Sequence, residues 1–357
     1  MDYSPLNITS FGAALHIKGN TIYTWYRDVL SQFAQEGGQS VHANDVEILT
    51  RQSKEIIEVP IFKEDNFGEK MTIDEKLIGE DYYTIMCNRE TGKIAMAGKS
   101  VTFSEIEKIF QKHSSVTGIV KSITRDLSSL YEKVCTNIFS KSIQVADKFH
   151  VIRNLMEAHQ AIRIRYRQKE FEKRRTALKE FKAIEQQRLQ ECERLGKDFK
   201  PNKFHYKEER YQNGETALEL LARSRYLLFK FNHQWTEKQR KRAKVLFELY
   251  PEIEHAYDLS CQFRDFLSNK NIGMEYLQTD QLLHNWYEKV EESQIDEMLN
   301  FKSMVESNEE FIVNYFIEGE TNALAEGINS KIQHFISSNQ GTRDRDFFFF
   351  RLANYYT

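Results

Sequence analysis

Ile119-Val-Lys-Ser-Ile-Thr-Arg-Asp126 and Ser142-Ile-Gln-Val-Ala-Asp-Lys-Phe-His150 decide how this chain is read. Each opens as a short apolar run, Ile119, Val120 and Ile123 in the first and Ile143 and Val145 in the second, and each stops at an aspartate ahead of a helix. A carboxylate at the C-terminal end of a buried strand, just before a helix, lies where open α/β sheets place their chemistry. Asp126 and Asp147 are therefore candidate site residues on the working edge of a sheet.

Upstream, the spacing predicts three strands, at 70–76, 82–88 and 93–98, with Arg89-Glu-Thr-Gly92 as the hairpin turn between the last two. Ser104-x-x-Glu107 predicts a capping box, opening a helix with Ile106, Ile109 and Phe110 on its apolar stripe. A helix over 127–138, the strand ending at Asp147 and a helix from about 149 complete the order β-β-β-α-β-α-β-α. That is the element order of an RNase-H-like mixed sheet, an α+β or α/β fold in which the first strand lies beside the fourth. Such a pairing brings Asp74 beside Asp126. Two adjacent carboxylates repel unless a cation sits between them, and hard oxygen donors on a shallow surface suit Mg²⁺ or Mn²⁺.

With 357 residues, 40% of them hydrophobic and 13% aromatic, the chain has material for two or three cores. No run approaches the ~18 apolar residues of a membrane span, and no basic, then apolar, leader opens the chain, so a cytoplasmic, nucleoid-associated location is expected. Cys87, Cys135, Cys192 and Cys261 form no C-x-x-C pair, which excludes a disulfide framework or cysteine zinc site as the organising device. The net charge of −3 conceals an asymmetry: residues 163–245 hold 24 Lys+Arg against 12 Asp+Glu. Such a block suits a polyanion.

The N-terminal stretch 9–33 predicts two short helices joined at Lys18-Gly19-Asn20, with Gly19 closing the first helix in a left-handed conformation. That is helix-turn-helix spacing, with Ile22, Trp25, Val29 and Leu30 packing inward and Thr21, Tyr23, Thr24 and Arg27 offered to a DNA groove. A further short helix is expected around Ala43 to Gln52 and a strand near Ile56 to Ile61. From 160 to 315 the composition predicts an almost wholly helical segment, broken near 196–202, 212–214, Pro251 and 271–273. In Glu320-Thr-Asn-Ala-Leu-Ala-Glu-Gly-Ile-Asn-Ser-Lys-Ile-Gln-His-Phe335, Leu324, Ile328, Ile332 and Phe335 form an apolar stripe, with Glu326, Asn329, Ser330 and Gln333 opposite. Glu326 is the third candidate ligand. The expected organisation is a DNA-binding region at 1–60, a catalytic core at 61–160, a basic helical insertion at 161–318 and the rest of the core at 319–357.

Together these stretches resemble DDE-type insertion-sequence transposases of the ISL-three group. The resemblance rests on Ile73-Asp-Glu75 with the following Tyr-Tyr-Thr strand, on Asp126-Leu-Ser-x-x-Tyr131, on Asp147-Lys-Phe-His-Val-Ile152 and on Ala325-Glu-Gly-Ile-Asn-Ser-Lys-Ile332. It implies a magnesium-dependent enzyme with two ions, Mn²⁺ being possible, that cleaves double-stranded DNA at an element's ends and joins them to a target. It implies Asp74, Asp126 and Glu326 as catalytic metal ligands, Asp147, His150 and Asn329 as auxiliary residues, Lys331 as a DNA contact, and a homodimer on DNA. Two features depart from the family: no cysteine-rich module precedes the helix-turn-helix, so a separate protein is a candidate for end recognition, and Phe347 to Phe350 stand where basic residues are common. The alternatives are a catalytically inactive or repurposed DNA-binding transposase and an RNase-H-like nuclease without strand transfer.

Overall fold

The main sheet is covered on both faces: Ile94–Gly98 and Ser122–Arg125 are buried throughout, and Lys70–Ile78 alternates buried with more exposed side chains. The computed structural model describes residues 7–37, 41–49, 54–317, 323–338 and 344–356. Its strands are β1 (Val46–Leu49), β2 (Lys54–Ile57), β3 (Ile61–Phe62), β4 (Lys70–Ile78), β5 (Asp81–Asn88), β6 (Ile94–Gly98), β7 (Ser122–Arg125) and β8 (Ile143–Ala146). One six-stranded mixed sheet has the order β3-β6-β5-β4-β7-β8. β4 pairs antiparallel with β5 and parallel with β7, which is parallel to β8. The strand carrying Asp74 thus lies beside the strand ending at Asp126, in a mixed sheet compatible with an RNase-H-like fold.

Two compact units divide the chain, one of residues 1–150, 272–276 and 308–357, the other of residues 151–271 and 277–307. In the first, β4 sends Met71 and Ile73 to one side, into a cluster with Ile106, Ile109 and Phe110 of helix Phe103–Lys112 and Tyr131 and Val134 of helix Ser129–Ile138. Ile78, with Tyr83, Ile85 and Cys87 of β5, faces the other side, against Ile332 and Phe335 of helix Ala323–Ser338 and Phe347 to Phe350 of helix Arg345–Tyr356. Each fully buried side chain of this size contributes about 1.5–3 kcal/mol. The Phe347 to Phe350 run is therefore core. The β5–β6 hairpin turns as expected: Asn88 Oδ1 accepts from the backbone of Glu90 and Thr91 at 2.8 and 3.1 Å, and Gly92 takes a φ of 71°.

Four local expectations are corrected. The helix after β6 starts earlier than Ser104-x-x-Glu107 suggested: Thr102 caps it and Glu105 completes the capping box, so the same pattern is used two residues upstream. Residues 46–49 form a strand rather than a helix, because Val46 and Ile48 alternate with Glu47 and pair with β2. Gly19 opens helix Gly19–Trp25 instead of closing helix Ile8–Ala14; the left-handed residue between them is His16, at φ 56°. Trp25, Val29 and Leu30 are 51%, 61% and 61% exposed, while Ile22, Tyr26 and Phe33 are buried. The reason is the partner: Phe347 meets the rings of Tyr23, Tyr26 and Phe33 at 5.8, 5.7 and 5.1 Å, and a wider π-type turn over Tyr26–Leu30 takes the next residues out of phase.

The second unit is helical. Helix Lys148–Arg194 runs 47 residues, and the later breaks fall at Gly196, Gly214 and Gly273, all with positive φ, and at Pro251, first residue of helix Pro251–Phe266. Its core includes Phe263 against Trp286 and Phe301 at 4.6 and 5.2 Å. Arg165 ties it further, donating to both Glu252 and Glu297, which raises the guanidinium's pKa. Among the described residues no helix is long and apolar enough to cross a membrane.

Candidate active site

Three aspartates line up because three parallel strands are in register. Ile73 of β4 pairs with Arg125 of β7, and Arg125 pairs with Ala146 of β8. Continuing both registers by one residue places Asp74, Asp126 and Asp147 side by side. Neighbouring strands lie ~4.8 Å apart, so Asp126 is one spacing from Asp74 and Asp147 two, roughly 10 Å. Asp74 and Asp126 are the pair close enough to share bound cations.

Each carboxylate is held locally. Asp126 Oδ1 accepts from Ser128 N at 2.9 Å, just before Ser128 caps helix Ser129–Ile138. Asp147 Oδ1 accepts from Phe149 N at 2.9 Å, and its other oxygen lies 3.9 Å from His150 Nε2. Through that bond to Phe149 N, Asp147 caps the start of helix Lys148–Arg194, with His150 in its first turn. Asp74 lies 3.1 Å from the ammonium of Lys76, two residues along the same strand face.

Further residues join the group, none of them among the sequence candidates. Glu75 has its pKa raised by burial and by the nearby charges of Asp126 and Asp74. Tyr131 beneath them has its hydroxyl raised by burial, and Glu75, Asp74 and Asp126 add to the shift. Asp74 and Asp126 offer hard carboxylate oxygens, the donor type that suits Mg²⁺ or Mn²⁺, while Glu75, the next residue of the same strand, points to its other face. Arg125 is fully buried: its Nη1 donates to the Asp126 carbonyl at 2.8 Å, its Nε to Gln144 Oε1 at 2.8 Å, and its guanidinium lies 4.4 Å from the centre of the Phe311 ring. The sequence reading missed it; a charged residue inside an otherwise uncharged strand is the signal that could have found it.

The remaining candidates are more scattered. Glu326 and Asn329 belong to helix Ala323–Ser338, but their side chains lie outside the described residues, as do those of Leu324 and Ile328. The helix itself is anchored by Ile332 and Phe335 in the cluster that also holds Ile78 and Cys87, on the Asp74 side of β4. Burial, with Asp74 adding to it, pushes the Cys87 thiol up to about 12. Lys331 is exposed on the same helix. In the N-terminal region Thr24 is exposed and Thr21 half-buried, whereas Tyr23 packs on Phe347 and Arg27 bonds Asp344 at 2.5 Å and Asp28 at 2.6 Å.

A family model described as transposase, for DDE enzymes of the ISL-three type, matches residues 71–352, more than three-quarters of the chain. No curated protein and no solved structure matches it.

Proposed function

This chain belongs to the DDE-type transposases of the ISL-three group, and we propose that it cleaves double-stranded DNA at an element's ends and joins them to a target through Asp74, Asp126 and Glu326. The observation that supports this reading best is the parallel pairing of Ile73 with Arg125, which sets the next residues, Asp74 and Asp126, on neighbouring strands. Asp74, Asp126 and, from helix Ala323–Ser338, Glu326 would hold two Mg²⁺ ions, with Mn²⁺ as a substitute. What the metal supplies when bound is neutralisation of phosphate charge and a lowered pKa for the attacking water or 3′-hydroxyl.

The protein's own contribution is placement. Ser128 N orients the Asp126 carboxylate, and Arg125 pins the backbone carbonyl of the same residue to β8 through Gln144. Lys76 balances Asp74 until a cation arrives. Asp147, with His150, sits one strand farther out and acts as an auxiliary group beside the scissile strand, with Asn329 beside Glu326 in sequence. Thr21, Thr24 and Lys331 are the DNA contacts; Tyr23 and Arg27 orient the N-terminal helices through Phe347 and Asp344. Bringing two DNA ends together calls for a homodimer, and a separate protein would assist end recognition.

The deciding assay is Mg²⁺-dependent cutting of a supercoiled plasmid carrying the element's ends. Asp74→Asn and Asp126→Asn should each lower strand cleavage at least about a hundredfold while duplex binding persists, since each removes a ligand and little else. Full cleavage by Asp126→Asn together with loss in Asp147→Asn would move the second ligand to Asp147. Cutting without joining would leave an RNase-H-like nuclease.

A further inference from the structure

Arg163 is only 7% exposed, yet its partners are dipoles: Nε donates to Gln160 Oε1 at 2.7 Å and Nη1 to the Leu221 carbonyl at 2.7 Å. Arginine does not shed its proton, so a buried guanidinium needs a counter-charge. The neighbours supply the opposite. Burial and the guanidiniums of Arg167 and Arg225 all disfavour its charged form. Arg167 stands one helical turn along helix Lys148–Arg194, with a buried Nε that has no hydrogen-bond partner. Arg225 begins helix Arg225–Leu228, four residues after the carbonyl that holds Arg163, and none of the three arginines has a carboxylate at ion-pair distance among the described residues. Elsewhere on the same helix Arg153 and Arg165 are matched with glutamates. Beside Arg225, Tyr226 is 68% exposed, with the guanidinium 5.7 Å from its ring centre.

We propose that Arg163, Arg167 and Arg225 form a socket for a backbone phosphate of duplex DNA, with the Tyr226 ring at its rim. Three guanidiniums with no acid among them match the charge and the fork geometry of a phosphodiester, and its arrival offsets the repulsion the free protein carries. The socket rests on the transposase reading only for the identity of the phosphate donor, not on any catalytic residue.

Binding of a fluorescent duplex of unrelated sequence to the full chain tests it, in salt from about 0.05 to 0.2 M. The Arg167→Gln/Arg225→Gln pair, which keeps the two bonds of Arg163, should weaken binding about 5- to 20-fold at 0.1 M salt and make the slope of log K against log salt shallower by about one or two. The unfolding midpoint should not fall, because like charges are removed. Arg225→Glu, at an exposed position, should weaken binding at least as much. Lys179→Gln/Lys182→Gln, which removes two exposed charges from the same helix, should cost less than about twofold. Unchanged affinity and slope in the arginine pair, an equal loss in the lysine pair, or tighter binding of duplex RNA would each overturn the socket. Failure of the wild-type chain to bind duplex DNA would overturn the socket and the DNA reading together, whereas loss of cutting in Asp74→Asn with binding intact bears on the catalytic reading alone.

Discussion

His159 shows how one buried side chain ties stability to pH. It is fully buried, and burial, reinforced by Arg163 and Arg264, lowers its pKa to about 4. The unfolded chain takes up this proton near the ordinary value of ~6.5, the folded one only near 4, so its contribution is complete above 6.5 and is lost as pH falls toward 4. That amounts to roughly 3 kcal/mol at most. Urea midpoints between pH 7 and 4 should therefore fall in the wild type and fall less steeply in His159→Leu; parallel curves would show that other groups govern acid sensitivity. Asp74 and Asp126 are the same kind of case in the first unit: ordinary residues whose meaning comes from what the backbone sets beside them.

At the scale of elements, close approach decides what local pattern leaves open. A Cβ on Gly12 would fall 2.4 Å from Ile22 Cγ2, so helices Ile8–Ala14 and Gly19–Trp25 touch where only glycine fits. Gly12→Ala should destabilise this helix pair by about 1–3 kcal/mol, read as an earlier unfolding transition, and Gly12→Ala/Ile22→Val should recover part of the loss. No recovery would place the strain elsewhere. This contact, with the Phe347 ring, explains why the inward face expected over Trp25, Val29 and Leu30 is not the one buried. An amphipathic stripe names apolar residues, but where two candidate stripes overlap, the partner chooses. By contrast the β5–β6 hairpin, the stripe of Ile106, Ile109 and Phe110 and the breaks at Gly196, Gly214 and Pro251 were legible, because backbone chemistry alone dictates them.

For the molecule as a whole, the first unit is closed by its own C-terminal end. Phe347 to Phe350 fill the face of the sheet that carries Ile78 and Ile85, and Phe347 also touches the N-terminal helices. Phe347→Ala should cost about 3–5 kcal/mol and speed amide hydrogen exchange over residues 19–37 more than over β7 and β8. Uniform acceleration across the unit would show that this ring is ordinary core. The unit is assembled from segments far apart in sequence, 1–150 with 272–276 and 308–357, so helix Ala323–Ser338 packs in the same unit as the strand that carries Asp74.

The strands ending at Asp126 and Asp147, the helical middle segment and the family itself followed from sequence by itself, since strand termination, helix composition and motif order are local properties of the chain. Tertiary structure alone decided three things: that Asp147 joins the row of Asp74 and Asp126 with Asp126 in the middle, that Glu75, Lys76 and Arg125 lie close by, and that the Phe347 run is core. Those depend on strand register and on long-range packing, which join residues through space at energies no single stretch of the chain encodes.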